Sequence, residues 1–174
     1  MDGSWPALTR WTIRGTLPGM ELLRPVAGES SIRAGGEIPG SDGADAFYLR
    51  APEPSAIPVL LAVPHAGRGY TGSLIERMRH PGSVALEDRY ADLLAEKVAK
   101  ATGATLLVAR APRAMIDLNR AVEDVDWEMI GGISRESLAD VGSYTPGHRA
   151  RSGLGLIPRR LPGLGELWKR RHDH

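Results

Sequence analysis

The chain has 174 residues, 42% hydrophobic and 25% charged, with a formal net charge of +1, which suits one domain with its own core rather than two. So small a charge provides no general field for nucleic acid or a membrane surface, and anion binding must come from local arginines. The absence of cysteine excludes disulfides, thiolate metal sites and a cysteine nucleophile, and fits a cytoplasmic protein.

No stretch reaches the roughly 18–20 uninterrupted apolar residues of a membrane span. Asp2, Arg10 and Arg14 interrupt any apolar region that could serve as a signal peptide. The 21 glycines and 13 prolines gather toward the two ends, which predicts loop-rich ends around a regular middle. Residues 1–45 read as a Gly/Pro-rich extended lead-in with one edge strand at 11–17. Residues 46–50 read as a strand, followed by the turn-forming Ala51-Pro52-Glu53-Pro54.

Residues 57–63 form a short apolar run closed by Pro64, the pattern of a strand buried on both faces. Gly67, Gly69 and Gly72 mark a loop. Leu86, Tyr90, Leu93, Leu94 and Val98 recur at helical spacing, predicting an amphipathic helix over 83–102 that Gly103 ends. Residues 105–109 form a second buried strand, and 114–118 a third, shorter one. Strand, helix and strand make a βαβ unit with parallel strands and a right-handed crossover. Ligands of open α/β sheets bind outside the carboxyl ends of the strands, where His65 and the 110–120 segment fall. Beyond Arg120 regularity fades, and 166–171 reads as the opening turns of a helix.

His65, just past the first strand and followed by Ala66-Gly67, suits either a metal ligand on a rigid support or a half-buried histidine bonded to a carbonyl. Glu87, Asp88 and Asp92 fall early in the predicted helix, with Asp88 and Asp92 on one face. They read either as a solvated face favoured near a helix N-terminus or as the source of a carboxylate ligand. Arg113-Ala114-Met115-Ile116-Asp117-Leu118-Asn119-Arg120 is the densest polar cluster. Asn119 beside Arg120 suits bidentate capture of a carboxylate, while Asp117 can equally pair with Arg113 or Arg120 as structural glue. Nucleophile elbow, phosphate loop and His-Glu-x-x-His patterns do not occur.

Three segments in this order carry a resemblance: Ile57-Pro58-Val59-Leu60-Leu61-Ala62-Val63-Pro64-His65-Ala66-Gly67, Leu86-Glu87-Asp88-Arg89-Tyr90-Ala91-Asp92, and Pro112-Arg113-Ala114-Met115-Ile116-Asp117-Leu118-Asn119-Arg120. Together they resemble the N-formylglutamate amidohydrolase family over residues 57–120, and more loosely to about 168. The resemblance implies a zinc-carboxypeptidase-like α/β fold: a three-layer, mostly parallel or mixed sheet with flanking helices, incomplete at its C-terminus. It implies a zinc cofactor and hydrolysis of the amide bond of N-formyl-L-glutamate or a related N-acyl amino acid by metal-activated water. By that analogy His65 is the first zinc ligand and Asp88 the carboxylate ligand, with Glu87 and Asp92 as rivals. Asn119 and Arg120 would hold the substrate α-carboxylate, and Arg113 the developing oxyanion.

Members of that family continue into a His-Ser segment that supplies a third ligand and later into a carboxylate general base. Residues 121–174 hold no matching segment, and neither His148, His172 nor His174 follows a recognisable strand. The expectation is therefore that residues 46–174 are the N-terminal part of an amidohydrolase domain. Its partner would be a small N-acyl amino acid, with self-association in reserve and no nucleic acid or membrane. The alternatives are a non-catalytic carboxylate-binding remnant and one part of a split or oligomeric enzyme.

Overall fold

The computed structural model describes residues 30–55, 57–80, 86–132, 147–161 and 163–172. The strand expected at 11–17 lies outside them. The main sheet has four strands in the order β1-β2-β4-β3: β1 Ser30–Gly35, β2 Phe47–Pro52, β3 Leu60–Val63 and β4 Thr105–Ala109. β1 pairs antiparallel with β2, β2 antiparallel with β4, and β3 parallel with β4. The sheet is therefore mixed, with its one parallel pair where the βαβ unit predicts it.

The two parallel strands follow from their composition. Leu60-Leu61-Ala62-Val63 stops at Pro64, which has no N–H to continue the ladder. In β4, Leu106 and Val108 point into the core and are almost fully buried. Burying a side chain of this size contributes about 1.5–3 kcal/mol. β2 is one residue later at its start than expected and runs two residues further. β1 lies within the segment expected to be lead-in, and pairs along its whole length with β2.

Two short helices lie between β3 and β4. α1, Gly72–Arg77, opens at Thr71, whose hydroxyl accepts from the Leu74 amide at 3.2 Å. α2, Ala91–Thr102, closes at Gly103 in the left-handed conformation, with its N–H bonded to the Ala99 carbonyl. No helix among the described residues is long and apolar enough to cross a membrane.

α2 departs from the sequence-based expectation twice. It starts at Ala91, because Tyr90 adopts a left-handed backbone (φ 66°) and the Asp88 amide is taken by the His65 carbonyl at 3.0 Å. Glu87 and Asp88 thus belong to a turn, and only Asp92 lies in the helix. The packed face also differs: Ala91, Ala95 and Ala99 meet Val63, Leu106 and Val108, while Leu94 is 65% exposed. Small alanines let the helix approach the sheet closely, and the larger apolar residues are left facing outward.

Two further expectations are corrected. Residues 114–118 form turns rather than a strand: the Met115 and Ile116 amides bond back to Pro112, and Asp117 bonds to Leu156. The tail around 166–171 is not helical. Its backbone lies beside residues 77–79, with Arg79 bonded to Leu167 and Lys169 to Arg77, and β6, Gly165–Glu166, pairs with β5, Arg160–Leu161. This tail supplies Leu167 and Trp168 to a second core with Leu74, Met78, Leu86, Ala114 and Met129. The Trp168 indole donates to the Pro158 carbonyl at 2.7 Å. A further helix among the described residues, α3, His148–Arg151, is a single turn.

Candidate metal and substrate site

Because β3 and β4 are parallel neighbours, the segments leaving their carboxyl ends emerge side by side. The Gly69 amide bonds to the Arg110 carbonyl at 2.9 Å. A Cβ at Gly67 would run into the Ala111 carbonyl, so this close approach needs glycine. The first loop brings His65, and the second folds back through tight turns to bring Arg113, Asp117, Asn119 and Arg120.

Asp117 is at the centre of the arrangement, with its side chain almost wholly buried. Its Oδ1 accepts from His65 Nε2 at 2.7 Å and from the Asn119 backbone amide at 3.0 Å. Its Oδ2 accepts from Arg113 through Nε at 3.0 Å and Nη2 at 2.9 Å, while Arg120 Nε stands 3.6 Å away. Burial pushes the carboxyl up, but the Asn119 amide, the His65 ring and the Arg113 charge outweigh it and hold it below the ordinary carboxylate value.

An ionised carboxylate only accepts, so His65 Nε2 carries a proton. The other ring nitrogen, Nδ1, lies 3.2 Å from Asp88 Oδ2. For a neutral ring this sets a lone pair against a carboxylate oxygen, and two acceptors at that distance call for a shared cation, either a proton or a metal ion. A histidine that donates one ring N–H to a carboxylate and offers the other nitrogen outward matches the way ligating histidines are held. His65 and Asp88 therefore fit as two metal ligands, with Asp117 as the group that orients His65. No group of three or more His, Asp or Glu able to hold a metal occurs among the described residues.

Among the three acidic candidates, the fold brings Asp88 to His65. Glu87 and Asp92 turn instead toward Arg68. Arg113 spends two of its three nitrogens on Asp117, and its Nη1 stands 3.9 Å from Asp88 Oδ1. Arg120 donates through Nε to the Leu154 carbonyl at 3.1 Å and through Nη1 to the Asn119 carbonyl at 2.9 Å. Asn119 is exposed. His172 lies edge-on against Trp168, with ring centroids 4.6 Å apart, and His148 opens α3; His174 lies outside the described residues. Asp117 as the partner of His65 was missed from sequence, where only its arginine neighbours were considered.

Beside Asp88, an open cleft of about 290 Å³ follows the edge of β3 that no described strand pairs with and the outward side of α2, lined by Leu61, Ala62, Leu94 and Val98 among others.

The sequence profile of N-formylglutamate amidohydrolases matches residues 57–174. The crystal structure of N-formylglutamate amidohydrolase from Ralstonia eutropha JMP134 is similar at 28% identity and a TM-score of 0.60. The match covers 74% of this chain and 43% of that one, so the chain spans less than half the length of that relative. No curated protein matches by sequence.

Proposed function

The chain belongs to the N-formylglutamate amidohydrolase family, and from that premise we propose that it acts in zinc-dependent hydrolysis of the amide bond of N-formyl-L-glutamate or a related N-acyl amino acid. The observation that carries this reading is the double contact of His65, with Nε2 on the buried Asp117 and Nδ1 opposite Asp88. The same premise supports a three-layer, zinc-carboxypeptidase-like arrangement, with residues 46–174 as the N-terminal part of the domain.

His65 and Asp88 would hold the zinc ion. When bound, it supplies Lewis acidity and brings the pKa of water toward about 7. Asp117 keeps the proton on Nε2 and so keeps the Nδ1 lone pair directed outward. Arg113, anchored by Asp117, directs Nη1 to the Asp88 side, where it can donate to a carbonyl oxygen that gains negative charge as water adds. Asn119 and Arg120 would receive the substrate α-carboxylate. The guanidinium is already oriented by the Leu154 and Asn119 carbonyls, which lowers the entropy lost on binding.

Formate release from N-formyl-L-glutamate, with zinc supplied and after chelation, tests the reading. Zinc-dependent release that His65→Ala reduces to background supports it, and release unaffected by chelation contradicts it. Carboxylate binding that survives chelation but is lost in Arg120→Ala would instead identify a non-catalytic carboxylate-binding remnant.

A second reading has the site completed by further polypeptide that pairs with β3, in the same chain or another. It is favoured by the outer edge of β3, which no described strand covers and where Leu60 is 55% exposed. Uncovered apolar edges promote pairing. Light scattering tests its oligomeric form: a monomer over a wide concentration range argues against self-association.

A further inference from the structure

The loop that presents His65 also carries Arg68, whose guanidinium reaches both flanks of Asp88. Its Nε lies 3.7 Å from Glu87 Oε2. Its Nη1 and Nη2 lie 3.4 and 3.5 Å from the two oxygens of Asp92. Glu87 immediately precedes Asp88, and Asp92 is in the first turn of α2. One side chain thus ties the turn that carries the carboxylate to the loop that carries the histidine.

The turn needs such a tie. Tyr90 holds a left-handed backbone, φ 66° and ψ 1°, which costs a residue with a Cβ about 1–2 kcal/mol. Its ring is 66% exposed, so the strained residue gains little from its own packing. Glu87 is the opposite case: its side chain is 2% exposed. Neither Glu87 Oε2 nor the neighbouring Tyr70 hydroxyl makes a well-formed hydrogen bond among the described residues. A countercharge stabilises a buried carboxylate, and Arg68 faces this one from 3.7 Å. Burial and the adjacent Glu87 carboxylate push the Tyr70 phenol up, so it stays neutral.

We propose that Arg68 is a positioning residue: by linking Glu87 and Asp92 to the His65 loop, it holds the intervening turn so that the Asp88 carboxylate stays opposite His65 Nδ1. The consequence for metal binding rests on the reading of His65 and Asp88 as ligands. The hold on the turn does not, because the Asp88 amide bonded to the His65 carbonyl at 3.0 Å reports it directly.

The test compares wild type, Arg68→Ala and Arg68→Lys by native-state hydrogen exchange and by calorimetric zinc titration. Arg68 is about half exposed, so Arg68→Ala is expected to fold with little change in its thermal midpoint. Exchange at the Asp88 amide should accelerate by about tenfold, and zinc affinity should fall measurably, by less than the about 10–100-fold that follows loss of a group bonded directly to a ligand. Arg68→Lys should recover part of both. Wild-type exchange at Asp88 in Arg68→Ala overturns the proposal. So does acceleration spread evenly over β3 and β4 with a lower midpoint, which marks a general loss of stability. If the wild-type chain takes up no zinc, the metal reading fails and the Asp88 amide alone decides the clamp.

Discussion

Asp117 Oδ1 lies 2.7 Å from His65 Nε2, a contact made across 52 positions of sequence by two side chains that are both buried. It joins the segments that follow the two parallel strands through one hydrogen bond and leaves Nδ1 of His65 as the outward nitrogen. The same carboxylate holds Arg113 and the Asn119 amide, so a change at Asp117 acts on His65, Arg113 and Asn119 together.

Asp117→Asn is therefore expected to be costly. It leaves the Arg113 charge, only about one-fifth exposed, with no carboxylate closer than Asp88 at 3.9 Å. Removing one member of a buried ion pair costs about 3–5 kcal/mol. Urea denaturation should show a loss of that order, and Arg113→Ala should cost less than Asp117→Asn because His65 and Asn119 keep their acceptor.

Stability should fall in acid through the same group. The folded Asp117 carboxyl lies below its unfolded value, so its contribution is fully present above the ordinary carboxylate range. It is lost as pH drops through that range and through the lower folded value. Denaturation midpoints measured from neutral to strongly acidic pH should decline there, and Asp117→Asn should flatten that decline. An unchanged acid slope in the variant would remove Asp117 as its source.

Gly67→Ala should loosen the junction between the two loops. The added methyl meets backbone, the Ala111 carbonyl and the Arg110 carbonyl carbon, rather than a side chain that can swing away. Overpacking of this kind costs about 1–3 kcal/mol. A lower thermal midpoint with faster exchange at the Gly69 amide is the expected result, and a wild-type midpoint would contradict the close approach.

These effects also show why part of the architecture could be read from sequence and part could not. β4 was legible to the residue, because Leu106 and Val108 sit in a short aliphatic run bounded by Gly103 and Arg110. The end of β3 and the placement of His65 followed from the run that ends at Pro64, but the strand begins at Leu60 rather than 57 and, lying at the edge of the described sheet, leaves Leu60 and Ala62 exposed instead of being buried on both faces. The start of α2 was not legible, since it depends on the Asp88 amide bonding to the His65 carbonyl, a contact with no local signature. Its packed face was misread because large apolar residues were weighed above Ala91, Ala95 and Ala99, whose small size is what seats the helix. β1 was hidden in Ser30-Ser31-Ile32-Arg33-Ala34-Gly35, a segment without alternation that gains its order by pairing with β2. Arg113 and Arg120 pointed to Asp117 through helix-like spacing, whereas His65 lay too distant in sequence to be seen as its partner.

The most direct test is nitrogen NMR of the His65 ring during zinc titration. The account predicts a large change at Nδ1 on zinc binding, a retained Nε2 proton on Asp117, and loss of the response in Asp88→Ala. Coordination through Nε2, or a His65 ring that does not respond to zinc, would contradict it.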